Sequence, residues 1–355
     1  MKIDVFKIYA LAAGLLLLPA CSTTEDVPDI SSSEEEMRLY SSTNTQTGED
    51  NDETTTTSNQ PVFLFWDFGD WLGQTQAPVT PYHVSKPDQS IDTYKRPNEP
   101  YNTGKLYPDG NRRVVATGYA PSSLTPDNNK GYELLSIPTN DIGTTDILTS
   151  ITPIVASATL PFDRADGETL EFMHAQSKVT FKAKLAENMG KFIKDVRIYL
   201  DPSLIATQVE WSREDFLYKP ISIESPGYTV IQQGDGDYQI TQENPLEIGW
   251  AYIVPEQTTL PVTITVSRSE DVQFTSPKEI TFSATLPFTI EREEDDSWDK
   301  GKEKNKLYAN EAYTFTIVFG EEGIELVGNK CPWENGGYIY VPIYPFGNPT
   351  EETYN

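Results

Sequence analysis

Few side chains in this 355-residue sequence are equipped for chemistry, and their surroundings decide how each is read. There are two cysteines, Cys21 and Cys331, and two histidines, His83 and His174. A thiol or imidazole becomes a nucleophile or base when a second group activates it. His83 and His174 lie in separate segments, and His174 in FMHAQSKV reads as a strand histidine that packs or hydrogen-bonds. Cys331 in GNKCPWENGG reads as a small, half-buried apolar residue. No serine-nucleophile elbow, zinc-protease, phosphate-loop or dinucleotide motif occurs. With 54 Asp and Glu residues, any pairing of carboxylates is uninformative. Three acidic stretches have oxygens enough for calcium: 125–131 (TPDNNKG), 233–239 (QGDGDYQ) and 291–304 (EREEDDSWDKGKEK). None keeps the spaced ligands and distal Glu of a calcium loop, so they read as turns and a solvated loop. The expectation is a protein with no catalytic residues, no metal and no cofactor.

Cys21 is different. Lys2 and Lys7 precede an apolar run from Ile8 to Leu18, then Pro19 and Ala20. Charge, apolar core and small residues in that order make a secretory signal, here residues 1–20. The core falls short of the roughly 20 apolar residues that span a bilayer. LPAC resembles a bacterial lipobox, which implies that Cys21 takes a diacylglycerol thioether and becomes the first mature residue. With two or more acyl chains, anchoring in the outer-membrane lipid is stable. With Cys21 lipidated, only Cys331 remains, and no intrachain disulfide is possible.

The formal charge is −27, and removing residues 1–20 takes it to −28 by deleting Lys2, Lys7 and Asp4. Such a surface repels phosphate backbones, so nucleic acid is excluded as a partner. Residues 21–59 are mostly Ser, Thr, Asp and Glu, too polar to bury a core. They read as a tether with a root-mean-square reach of about 35 Å. Inside it, Met37 and Leu39 alternate with Arg38 and Tyr40, which predicts a short, weak strand.

Beyond Gln60 the texture changes to runs rich in β-branched and aromatic residues, punctuated by most of the 26 Pro and 22 Gly. Val179, Phe181, Ala183 and Leu185 fall on one face, with Lys182 and Lys184 on the other. Val262, Ile264 and Val266 alternate in the same way with Thr263 and Thr265. That is the pattern of half-buried antiparallel strands, and sandwiches cover such faces. LAENMGKFI predicts at most one or two helical turns. The fold class is therefore all-β, with sandwiches over 60–189 and 190–355 and a boundary near Met189.

A family resemblance rests on longer stretches. YNTGKLYPDGNRRVVATGYAP, DILTS, LEFMHAQSKVTFKA and NKLYANEAYTFTIVFGEEGIEL, followed by PWENGG, occur in the order seen in fimbrillin-like proteins. These are lipoprotein pilus subunits of Bacteroidales, related to major and minor fimbrial proteins. The resemblance covers most of the chain from Tyr101 onward. Glu25 and Asp26 after Cys21 also look like the signal that sends lipoproteins to the outer face of the outer membrane. The resemblance implies two tandem transthyretin-like β-sandwich domains. It implies as well that a trypsin-like protease removes the amino-terminal segment with its first strand, leaving a groove for a strand from the neighbouring subunit. Arg38 is the only Arg or Lys between Cys21 and Gln60, and so the candidate cleavage site, although it sits inside the predicted strand. The candidate donor follows Gly336 and Gly337: Ile339, Val341 and Ile343 alternate with Tyr338, Tyr340 and Tyr344. The same segment could instead complete its own domain.

These expectations describe a fimbrial subunit on the cell surface, partnered by other subunits and supporting adhesion to a host or bacterial surface ligand. The alternative is a glycan-binding surface lipoprotein. Trp66, Trp71, Trp211, Trp250, Trp298 and Trp333, with 19 Tyr, could stack on sugars, although core packing accounts for most of them. Trp298, inside a charged loop, is the tryptophan whose exposure would favour that alternative.

Overall fold

The computed structural model describes residues 35–45, 61–67, 70–76, 80–83, 99–165, 167–187, 189–231, 239–290, 301–320 and 324–331. Cys21, the candidate donor at 338–344, Trp298 and Trp333 lie outside them. Among the described residues the chain is all-β: strands β1–β21, numbered in chain order, and three single-turn 3₁₀ helices. None of the described helices is long and apolar enough to cross a membrane. Where one or two helical turns were expected, no helix is found among the described residues, and the Met189 N–H donates to the Ala186 carbonyl at 3.1 Å. Met189 and Ile193 there point into the core.

The first sheet has nine strands. Its main path runs β3 (Asp70–Gln76), β2 (Val62–Asp67), β6 (Val114–Ala120), β9 (Leu148–Ser150), β11 (Thr169–His174), β1 (Glu36–Thr45) and β4 (Thr80–His83). Off the path, β10 (Ile154–Ala156) pairs with β6 and β5 (Tyr101–Leu106) with β1. The second sheet orders β15 (Tyr218–Ile221), β14 (Gln208–Trp211), β8 (Gly131–Ser136) and β7 (Thr125–Asp127). The third orders β17 (Leu246–Ile253), β12 (Ser177–Leu185), β20 (Ala312–Phe319) and β21 (Ile324–Cys331). The fourth orders β16 (Tyr228–Ile231), β13 (Phe192–Leu200), β18 (Thr259–Ser269) and β19 (Lys278–Pro287).

The third and fourth sheets form a sandwich. Val179, Phe181, Ala183 and Leu185 of β12 meet Val262, Ile264 and Val266 of β18 in one core, as their alternation requires. Each fully buried side chain of this kind contributes about 1.5–3 kcal/mol. The pairing is less uniform than the sequence suggests. β12 lies parallel to β20 over eight positions, Lys178↔Ala312 to Leu185↔Phe319. Parallel neighbours need long connections, and β13 to β19 fill the chain between these two. Periodicity assigns faces but not neighbours, so the parallel pairs were not visible in it.

The first sheet is buried on both sides at β2. Phe63 and Phe65 enter one core with Val114, Ala116, Leu170 and Phe172, while Val62, Leu64 and Trp66 enter the larger core on the opposite face. Gly118 is required here: a Cβ would come within 2.6 Å of the Phe172 ring. The second sheet joins strands from both sides of Met189, with Val209 of β14 opposite Leu135 of β8. Further ties between the two halves are Tyr252 N–H to the Gly143 carbonyl at 2.9 Å and Asn310 N–H to the Gln176 carbonyl at 3.1 Å.

Candidate functional site

The short strand expected around Met37 is ten residues long and lies inside the first sheet. Its first half runs antiparallel to β5, pairing Glu36 with Leu106 and Leu39 with Tyr101. Its second half runs parallel to two strands at once, with Tyr40–Thr43 beside Thr169–Phe172 of β11 and Ser42–Thr45 beside β4. Alternation explains the seating. Met37, Leu39 and Ser41 are buried, at 1%, 0% and 6% exposure. Met37 and Leu39 fill the core formed by Phe63, Phe65, Tyr107 and Phe172. Arg38 points to solvent.

Polar contacts fix the register. The Thr103 hydroxyl donates to the Met37 carbonyl at 2.7 Å, and the Asn102 amide donates to the Glu36 carboxylate at 2.6 Å. Arg38 Nε lies 3.4 Å from the Asp163 carboxylate. Burial pushes the Tyr107 phenol up to about 12, so it stays neutral while its oxygen accepts the Phe162 N–H at 2.8 Å. Glu171, opposite Ser42 in β11, has its carboxyl raised above the ordinary range by desolvation. Lifting β1 out would therefore expose an apolar wall and unpaired main-chain groups on β11, and would leave β4 and β5 without a strand partner among the described residues. Such an edge can take any strand with the right alternation.

Among the described residues, the other sequence-predicted groups do not converge. His174 is buried in β11, its Nδ1 2.8 Å from the Asp146 carboxylate, and Tyr252 shares that carboxylate. Burial, with Asp146 beside it, pushes the Tyr252 phenol well up. No three His, Cys, Asp or Glu side chains come together as a metal set among the described residues. In the 125–131 stretch, Asp127 accepts the N–H groups of Lys130 and Asn129 at 2.9 and 2.8 Å, which hold its carboxyl below the usual range. That is a turn, as expected. An open groove of about 310 Å³ lies on the outer face of β13, β18 and β19, lined by Tyr199, Asp201, Thr263 and Ser283. The Asp201 carboxylate is already engaged by the Ser203 N–H and hydroxyl at 2.9 and 2.7 Å. Of the described tryptophans, Trp66 and Trp211 are buried while Trp71 and Trp250 are 40% and 37% exposed.

No family model and no curated protein matches the chain. Among solved structures, the chain is similar to a candidate cell adhesion protein from Parabacteroides distasonis, at 13% identity and a TM-score of 0.45, covering 88% of this chain and 92% of that one. It is similar to a candidate cell adhesion protein from Bacteroides uniformis, at 12% identity and 0.44, covering 84% and 99%. It is also similar to the tip fimbrial protein Mfa3 from Porphyromonas gingivalis, at 11% identity and 0.38, covering 84% and 98%. These matches fall among adhesins and fimbrial proteins, the group that the sequence resembles. At these identities and TM-scores the likeness carries no argument about function.

Proposed function

We propose that this protein is a structural subunit of a surface fimbria, delivered as an outer-membrane lipoprotein through Cys21, joined to its neighbours by strand exchange, and supporting adhesion. The observation that carries the proposal is the position of β1. The first strand of the described chain sits between β11 and β4 with Met37 and Leu39 in the core, so its removal opens a groove along β11 and frees β4 and β5, whose only strand partner among the described residues is β1. Each half of the chain is inferred to be transthyretin-like, and no catalytic role is assigned.

In the proposed exchange, 338–344 of one subunit takes the place of β1 in another. Ile339, Val341 and Ile343 reproduce the inward row of Met37, Leu39 and Ser41, with Tyr338, Tyr340 and Tyr344 outward. Main-chain hydrogen bonds would supply affinity and the inward row register. Cleavage at Arg38 requires β1 to leave the ladder first, because a residue paired in a sheet cannot extend into a protease. Cleavage there removes only Glu36–Arg38 of the strand, so in this scheme the incoming donor must displace Leu39–Thr45 as well.

Two measurements test it. Precursor treated with trypsin and run unboiled in detergent gels should form a ladder of multimers that deletion of 338–355 abolishes. A ladder that survives the deletion sinks the donor assignment. Labelled palmitate should enter the wild-type protein and not Cys21→Ala, and equal labelling of both would remove the lipid anchor.

A further inference from the structure

The first two sheets meet at a continuous row of aromatic rings. Trp66 stacks on Trp211 with centroids 4.2 Å apart and 12° between planes. Trp71 meets the edge of Trp66 at 4.8 Å and lies flat on Tyr132 at 4.6 Å and 12°. The inner rings are core, but the outer one is not: Trp71 remains 40% exposed. A β-bulge puts it there. β3 pairs Gly73 with Phe65 and Trp71 with Trp66, so Leu72 is an extra residue that turns Trp71 towards the second sheet. Bulges recur where a strand must re-aim a functional side chain. Gly73, at φ 129°, takes up the distortion.

Charged groups accompany the rings in the chain and are neutralised in pairs. Arg112 ion-pairs with the buried Asp67 and lies 3.9 Å from Asp70, next to Trp71. Arg213 pairs with Glu133, next to Tyr132, its Nε 3.0 Å from the carboxylate. Such pairs offer fixed donors and acceptors without a net field that selects a charged ligand. Behind them, the indole N–H groups of Trp66 and Trp211 are buried with no acceptor. A buried unsatisfied donor is costly and calls for an explanation.

We propose that Trp71, backed by the Tyr132 ring stacked on it, forms the platform of a binding site for a neutral saccharide. The apolar face of a hexose ring lies against the exposed part of the Trp71 indole. The protein's charge of −27 disfavours uronate or sulfated chains at the same place. The site is independent of β1 and of strand exchange, so it stands or falls separately from the fimbrial role.

Affinity electrophoresis of the full mature chain in native gels tests it, with mannan, xylan, arabinogalactan, mixed-linkage β-glucan or polygalacturonate cast into each. At least one neutral polysaccharide should retard the protein. Trp71→Ala should weaken that retardation at least tenfold and Trp71→Phe should restore part of it. Trp250→Ala, which removes an exposed tryptophan elsewhere, should leave it within twofold. If Trp71→Ala does not fold, Trp71→Phe takes its place with an expected loss of at least threefold. No retardation in any neutral gel, retardation by polygalacturonate alone, or equal effects of the Trp71 and Trp250 variants would overturn the proposal.

Discussion

Leu39 offers a direct measure of how firmly the first strand is held. Its side chain is fully buried among Phe63, Leu170 and Phe172. Truncating such a leucine to alanine costs 2–5 kcal/mol, the transfer of the lost atoms plus the cavity they leave. A value of about 3 kcal/mol is appropriate, because the surrounding rings and the Gly118 contact leave little freedom to collapse. With a denaturant slope of about 1–3 kcal/mol per molar, Leu39→Ala should lower the urea midpoint by at least about 1 M. The same energy appears in a second assay. Arg38 is cut only when β1 is out, and proteolysis of a rapidly reclosing state follows its population. At 1.4 kcal/mol per tenfold, trypsin should release a product beginning at residue 39 about 100-fold faster in the variant. Changes below about 0.3 M in the midpoint and fivefold in the cleavage rate would mean that the strand carries little of the packing energy assigned to it.

Three other outcomes follow from the same seam. Asp163→Ala removes the partner of a half-exposed Arg38, a contact of about 0.2–1 kcal/mol, and should speed tryptic release two- to fivefold. Gly118→Ala must displace the Phe172 ring and should destabilise the first sheet by about 1–3 kcal/mol in thermal unfolding; an unchanged melting temperature would contradict the close contact. Glu171→Gln should stabilise the protein at pH 7 and be neutral well below pH 4.5. A carboxyl raised by burial exerts its penalty only once it ionises, so stability falls as pH rises through its range, and equal effects at both pH values would refute that sign.

Side-chain alternation made the fold class legible. The inward row of β12 and that of β18 were readable because each alternates without interruption, and both are buried as read. Met37 and Leu39 likewise marked a strand, but its length and central place were hidden, since the amphipathic signal stops at Tyr40 while the strand continues through Ser42, Thr43, Asn44 and Thr45. Those residues are held by β11 and β4, partners that no local pattern announces. Trp71 was named among six tryptophans that could stack on sugars but was not singled out, for a related reason. Its exposure depends on a bulge at Leu72, and nothing in DWLGQ except Gly73 hints at one.

Because β1 is flanked by strands that lie after it in the chain, its place cannot exist until they arrive. Tyr40 waits for Thr169, and Ser42 for Thr80. A segment that emerges first is thus seated only once β11 has arrived and a long loop has closed, and such non-local pairing slows folding. Pulse-labelled hydrogen exchange during refolding should show Met37 and Leu39 amides protected after those of β2 and β6; simultaneous protection would reverse that order. Until β1 is seated, β4 and β5 have no strand to join among the described residues, so one late pairing seats three strands together.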